Sequence, residues 1–144
     1  MRKNFLNPYL TWQTNGLAIL RIITGLLMAY HGWEVFYSEK MNEFAKWEVV
    51  KSLPAPLVMV YVGKGLELLT GVLLALGLFT RPAALFMALN MLFICFRIGN
   101  GKFYYEDQHP FVFAMLAMVF FFTGPVKWSL DQLKLKQKNT YHSY

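Results

Sequence analysis

The sequence predicts an all-α integral membrane protein, a four-helix bundle formed by one domain over residues 1–144, and three observations predict it. Hydrophobic residues make up 56% of the chain and charged residues 15%, with a mean hydropathy of +0.36, whereas a soluble domain carries roughly 25% charged residues. The apolar residues gather in four segments, 16–37, 56–79, 82–98 and 110–126, each within the range of about 17 to 25 residues that crosses a bilayer. Lysine and arginine stand at the chain ends and between these segments. The formal charge of +6 therefore reads as membrane topology and not as a nucleic-acid surface.

The first segment opens on "GLAILRIITGLLM" and continues into "AYHGWEVF". It contains Arg21 and is followed by no small-residue cleavage site, so it is expected to stay in the mature protein. The connection "SEKMNEFAKWEVVKSLPAP" sets Met41, Phe44 and Ala45 at helical spacing among charges. That pattern fits a short interfacial helix stopped by Pro54 and equally a solvated charged loop. The second segment carries Lys64, Glu67 and the small residues Gly71 and Ala75, four apart as in close-packed membrane helices. A tight "GLFTRPAA" turn leads to the third and shortest segment, which holds Ala84, Ala88, Asn90, the single cysteine Cys95 and Arg97. The fourth follows "EDQHP", and a polar tail over 131–144 ends the chain.

If all four segments cross, Arg2, Lys3, Arg81, Lys127, Lys134, Lys136 and Lys138 share one side. The other side holds Lys40, Lys46, Lys51 and Lys102, diluted by Glu39, Glu43, Glu48, Glu106 and Asp107. Both termini and the tail are then cytoplasmic. Trp12 and Trp128 would mark the inner interface, and Trp33, Tyr37, Tyr104 and Tyr105 the outer one.

Arg21, His31, Glu34, Lys64, Glu67, Asn90 and Arg97 fall within or at the edges of the segments. An ionisable group at mid-membrane costs at least about 2.5 to 3.5 kcal/mol, so most of them should face one another as a buried polar cluster. A rise of about 1.5 Å per residue sorts them into a lower layer of Arg21, Asn90 and Glu67 and an outer layer of His31, Lys64, Glu34 and Arg97. In this reading Arg21 reaches up to Glu67, either as a packing pair or as a group that handles ligand or protons. Arg97 snorkels to water. His31 and Glu34, like Lys64 and Glu67, are three residues apart and share a helix side.

Several chemistries are marked down. One cysteine excludes an internal disulfide and multi-cysteine metal or iron–sulfur sites, and no metal site is expected. GxSxG, P-loop and HExxH motifs are absent from the sequence. Haem would need axial ligands, and His31 and His109, the two histidines near the membrane, both lie toward the outer side, so a bis-histidine site is conceivable in geometry but haem is the disfavoured cofactor. A quinone headgroup, which needs polar groups inside an apolar pocket, suits the outer layer better.

The same residues carry a resemblance to the DoxX family of small four-helix membrane proteins. "LRIITGLLMAYHG" matches its first-helix pattern through Arg21, Gly25, His31 and Gly32. "SLPAP" follows, then "VGKGLELLTGVLLALGLFTRPAAL" with Gly63, Glu67, Gly71, Gly77, Thr80, Arg81 and Ala84, then "GPVKWSLD" with Gly124, Pro125, Ser129 and Asp131. Val72 replaces a usual glycine, "EDQHP" stretches the acidic-proline step, and "GPV" replaces "GPG". The family name comes from a subunit associated with an archaeal thiosulfate:quinone oxidoreductase, and relatives are linked to sulfur handling and oxidative stress. The resemblance implies a multi-pass subunit of a redox-associated complex in a bacterial cytoplasmic membrane, working with a redox protein partner and a quinone-type lipid. Any redox catalysis would then belong to the complex and not to this chain alone. Two other readings stay open: a transporter or channel for a small solute or protons that works as a homo-oligomer, and a non-catalytic scaffold or assembly subunit whose exposed Trp, Phe and Met faces bind another membrane protein.

Overall fold

The computed structural model describes residues 12–134, with the side chain of Trp12 left aside. Arg2, Lys3, Lys136, Lys138 and the tail beyond residue 134 lie outside the described residues. Among the described residues α1 (Trp12–Gly32), α2 (Ser38–Ala45), α3 (Glu48–Lys51), α4 (Pro56–Leu76), α5 (Thr80–Phe93) and α6 (Gln108–Thr123) follow one another, and residues 130–134 are helical as well. A 3-10 turn, Trp33–Phe36, prolongs α1, and a π-helical turn, Ile94–Ile98, prolongs α5. No strand occurs among the described residues, and the architecture is the all-α membrane helix bundle that the composition implies.

Three helices are long and apolar enough to cross a membrane, over Gln13–Phe36, Pro56–Leu76 and Thr80–Ile98. The fourth, α6, has 16 residues, about 24 Å at the helical rise. Of the four apolar segments the fourth is thus the shortest and not the third, once the π turn is counted with α5. The π turn carries α5 out to Ile98, and Gly124 at φ 68° stops α6 after Thr123.

Pro56 fits the first position of α4, where a missing N–H costs nothing. The other end of α4 falls three residues before the expected Phe79, because Gly77 takes the left-handed conformation at φ 66°. There Leu78 N–H donates to Leu73 O at 2.9 Å and Gly77 N–H to Leu74 O at 3.1 Å, the paired C-terminal bonds of a Schellman motif.

The helices pack in the order α1, α4, α5, α6, with α1 touching α6 only slightly. The seam between α1 and α4 is made by small residues on both sides. A Cβ at Gly25 would lie 2.4 Å from Ala75 N, one at Gly71 2.4 Å from Ala29 N, and one at Gly32 2.1 Å from Leu68 N. Backbone therefore lies on backbone, as small-residue motifs allow in membranes. Between α5 and α6 the fully buried Ala84, Ala88, Ala114 and Ala117 join Met28, Leu74, Met87 and Phe120 in the core. Ile19, Ile23, Leu26, Phe86, Leu89 and Phe122 stay about half exposed or more on the bundle's outside, the surface that lipid covers.

Beyond α6 the chain folds back as a strap across the α4–α5 turn. Asp131 Oδ1 accepts Phe79 N–H, and Oδ2 accepts both the N–H and the hydroxyl of Thr80, each at 2.9 Å. Asp131 N–H donates to Gly77 O at 3.0 Å. A carboxylate from a distant segment thus satisfies the first donors of α5 and complements its dipole. Burial alone would raise the Asp131 carboxyl, but these hydrogen bonds and the charge of Lys134 hold it below its ordinary value.

Candidate functional site

The half of the bundle that carries α2 and α3, the outer half in the expected orientation, holds a chain of alternating charges. Lys40 Nζ lies 2.7 Å from Glu34 Oε1, Lys64 Nζ 3.0 Å from Glu34 Oε2, and Lys64 Nζ 3.0 Å from Glu67 Oε2. Side-chain exposure falls along it from 50% at Lys40 through 26% at Glu34 and 18% at Lys64 to 5% at Glu67. The chain therefore leads from water to the interior. Hydrogen bonding and charge from Glu34 hold the Lys40 ammonium above its ordinary value. Lys64 also donates to His31 O at 3.4 Å, which engages all three of its N–H groups, and it lies 5.5 Å from the centre of the Phe44 ring.

"HGWE" places these groups by changing helix type. Gly32 brings α1 into backbone contact with α4 at Leu68, and the 3-10 turn that follows swings Glu34 over Lys64. His31 reaches the cluster through its carbonyl, while its ring meets His109 of α6 edge-on at 4.8 Å between centroids. Those two rings touch directly, leaving no space for a macrocycle between them, so a bis-histidine haem does not fit here. Among the described residues no three His, Cys, Asp or Glu side chains form a metal-ligand set.

Beside the charges lies a cavity of about 420 Å³, within the range of about 300 to 1,000 Å³ usual for small-molecule sites. Met28, Met59, Val62, Met91, Phe93 and Ile94 form much of its wall, and His31, Lys64, Glu67, Asn90 and His109 supply polar groups. Phe44, Trp47, Val50 and Leu53 from the α2–α3 region line it as well. The connection is thus the helical alternative of the two expected: Met41 and Val50 are buried, and Phe44 closes on Lys64. Val62 and Trp47 are 51% and 54% exposed, so the chamber communicates with the bundle surface.

Three expected positions change, the first being Glu67, which was expected in the lower layer with Arg21 and instead meets Lys64 in the outer charge chain. Arg21 is fully buried but turns away from Glu67, donating through Nη1 to Leu74 O and Ala75 O and through Nη2 to Trp128 O at 2.9 Å. The carbonyls at the C-terminal end of α4 carry partial negative charge and keep lone pairs beyond the Schellman bond that Leu74 O accepts from Gly77 N–H, so they compete successfully for the guanidinium. Asn90 belongs with the outer group and not the lower one, since its Nδ2 donates to Gly63 O at 3.2 Å. With α4 ending at Leu76 and α5 starting at Thr80, Glu67 and Asn90 come to nearly the same height, about 14 and 15 Å from the inner helix ends.

Glu34, Lys64 and Glu67 are thus brought together with the His31 carbonyl, Asn90 and His109 line the same chamber, and Arg97 stands exposed outside it. The sequence reading missed the aromatic roof as a chamber wall, although Phe44 and Trp47 in a charged connection were a signal for it. It also missed Gly25 and Ala29 as partners of Gly71 and Ala75.

No match was found among curated proteins, nor among solved structures. The model of the DoxX family matches residues 16–99, more than half of the chain, running from α1 to the π turn after α5 and including most of the chamber's walls, and the chain therefore belongs to the DoxX family of membrane proteins.

Proposed function

We propose that the outer chamber binds a quinone-type lipid, and that this DoxX protein is the membrane subunit of a redox-associated complex in a bacterial cytoplasmic membrane, with both termini cytoplasmic. The observation that carries the reading is the chamber: about 420 Å³ of mostly apolar space with His31, Glu67 and Asn90 at its edge. A ring with polar substituents and an apolar tail matches that combination. A quinone bound there would supply two-electron chemistry to a redox protein partner. His31 and Asn90 orient the ring, Glu67 as a carboxylate takes a proton from it, and Phe44 and Trp47 cover the head. Glu34, held by both Lys40 and Lys64, positions Lys64 instead of meeting the ligand. Arg21 fixes helix ends.

The path of charge supports binding over conduction. It stops at Glu67, and below it lie Met28, Leu74, Met87 and Phe120, all buried and apolar. Native mass spectrometry of the protein taken from its own membranes in mild detergent tests the proposal. A quinone in stoichiometric amount is expected, falling away in His31→Ala and in Asn90→Leu. A protein that carries ordinary phospholipid alone would overturn it.

A further inference from the structure

We infer that the chamber selects a ring bearing a hydroxyl group, and so prefers the reduced, phenolic form of its ligand to the oxidised carbonyl form. This inference rests on the quinone-type reading above and narrows it to one chemical state.

The argument begins with which polar atoms remain free. Lys64 has three N–H groups, and Glu34, Glu67 and the His31 carbonyl take all three. The strongest donor at the site is therefore already engaged. Glu67 uses Oε2 for Lys64 and is 4% exposed as a residue, yet its Oε1 makes no hydrogen bond among the described residues. Asn90 must turn its NH₂ toward the Gly63 carbonyl, since only a donor can meet that oxygen. This fixes the amide orientation and leaves Oδ1 as a second free acceptor at nearly the same height in the bundle. Both residues line the chamber.

Two acceptors, one of them a carboxylate oxygen in an apolar setting, call for a donor. A phenolic O–H provides a charge-assisted bond to Glu67 Oε1, the stronger kind of hydrogen bond. A quinone carbonyl in the same place sets oxygen against oxygen and leaves the carboxylate unmet, the costly case for a buried polar group. His31 and His109 also line the chamber and can donate or accept as needed, so they do not reverse the preference. The four charges Lys40, Glu34, Lys64 and Glu67 sum to zero, which suits a neutral phenol over a charged head.

The test uses the full chain in lipid nanodiscs, titrated calorimetrically with α-naphthol, its methyl ether and naphthoquinone, with empty nanodiscs as the reference for partitioning. The expected result is that α-naphthol binds about tenfold tighter than either of the other two, the size of one charge-assisted bond. The advantage should shrink in Glu67→Gln and in Asn90→Leu. The comparison within the wild-type protein already decides the matter if a variant fails to fold. Naphthoquinone or the ether binding as tightly as α-naphthol would overturn the selectivity while leaving a quinone-type site intact. A preference that survives both substitutions would overturn its assignment to these two oxygens. If none of the three binds above the empty nanodisc, the quinone-type reading falls with it.

Discussion

Replacing Gly71 by alanine tests the seam on which the whole outer site hangs. The added Cβ would stand 2.4 Å from Ala29 N and 2.8 Å from both Ala29 Cα and Gly25 O. All three are backbone atoms, so no side chain can swing aside, and α1 and α4 must part by about 1 Å to restore ordinary contact. Overpacking of this kind costs about 1 to 3 kcal/mol, which for a chain of this size lowers Tm by roughly 2 to 12 °C. The assay is thermal unfolding in a mild detergent followed by tryptophan fluorescence. Gly65→Ala is the control, because a Cβ there meets nothing within 4 Å; it should leave Tm unchanged or raise it slightly, alanine being the better helix former. A Gly71→Ala protein as stable as the Gly65→Ala protein would refute backbone contact between the two helices.

Three other outcomes are expected. Asp131 holds α5 by its first donors and its carboxyl lies below the ordinary value, so its contribution is complete above the unfolded-state pKa and is lost as pH falls through the folded one. Thermal stability should accordingly drop below about pH 4 in wild type and more gently in Asp131→Asn, a difference that melting curves across pH would register; parallel curves would rule the cap out. Arg21→Met leaves the Leu74, Ala75 and Trp128 carbonyls without their donor and should expose the strap to limited proteolysis between Lys127 and Lys134, while Arg21→Lys restores part of the protection; an unchanged digestion pattern would contradict the clasp. Cysteine placed at Asn42 or Asn100 in a Cys95→Ser background should react with an impermeant maleimide on intact cells, whereas cysteine at Lys127 should react only after permeabilisation, and the reverse pattern would invert the proposed orientation.

The sequence revealed the class of the fold because lipid imposes a composition that no other solvent does, and four apolar runs with basic flanks carry that imprint directly. It also suggested that the charges in these runs face one another and that Lys64 and Glu67 share a helix side, but it set Glu67 in the lower layer as the partner of Arg21, apart from Glu34 and Lys64. What it concealed was set by backbone. The target of Arg21 is a row of carbonyls at the end of α4, atoms present at every residue and so unmarked in the letters. Gly77 shortened α4 by its left-handed turn and α5 starts at Thr80, which brought Glu67 and Asn90 to one height and set Asn90 out of the layer that helix arithmetic assigned to it. Gly25 and Ala29 are ordinary residues of a membrane helix until Gly71 and Ala75 are seen against them. The roof over the chamber was half legible, as an amphipathic connection whose partner lay elsewhere in the chain.

The clasp made by Arg21 has a consequence in time. Trp128, one of its three acceptor residues, lies 107 residues further along the chain, and at synthesis rates of about 5 to 20 residues per second the arginine waits roughly 5 to 20 seconds for it. During that interval α1, α4 and α5 can already meet, but the guanidinium has only the end of α4 to hold and the first donors of α5 lack Asp131. The nascent bundle is therefore a species with its inner end unlatched, and arrival of the strap is the event that separates a finished molecule from one that membrane quality control can still recognise.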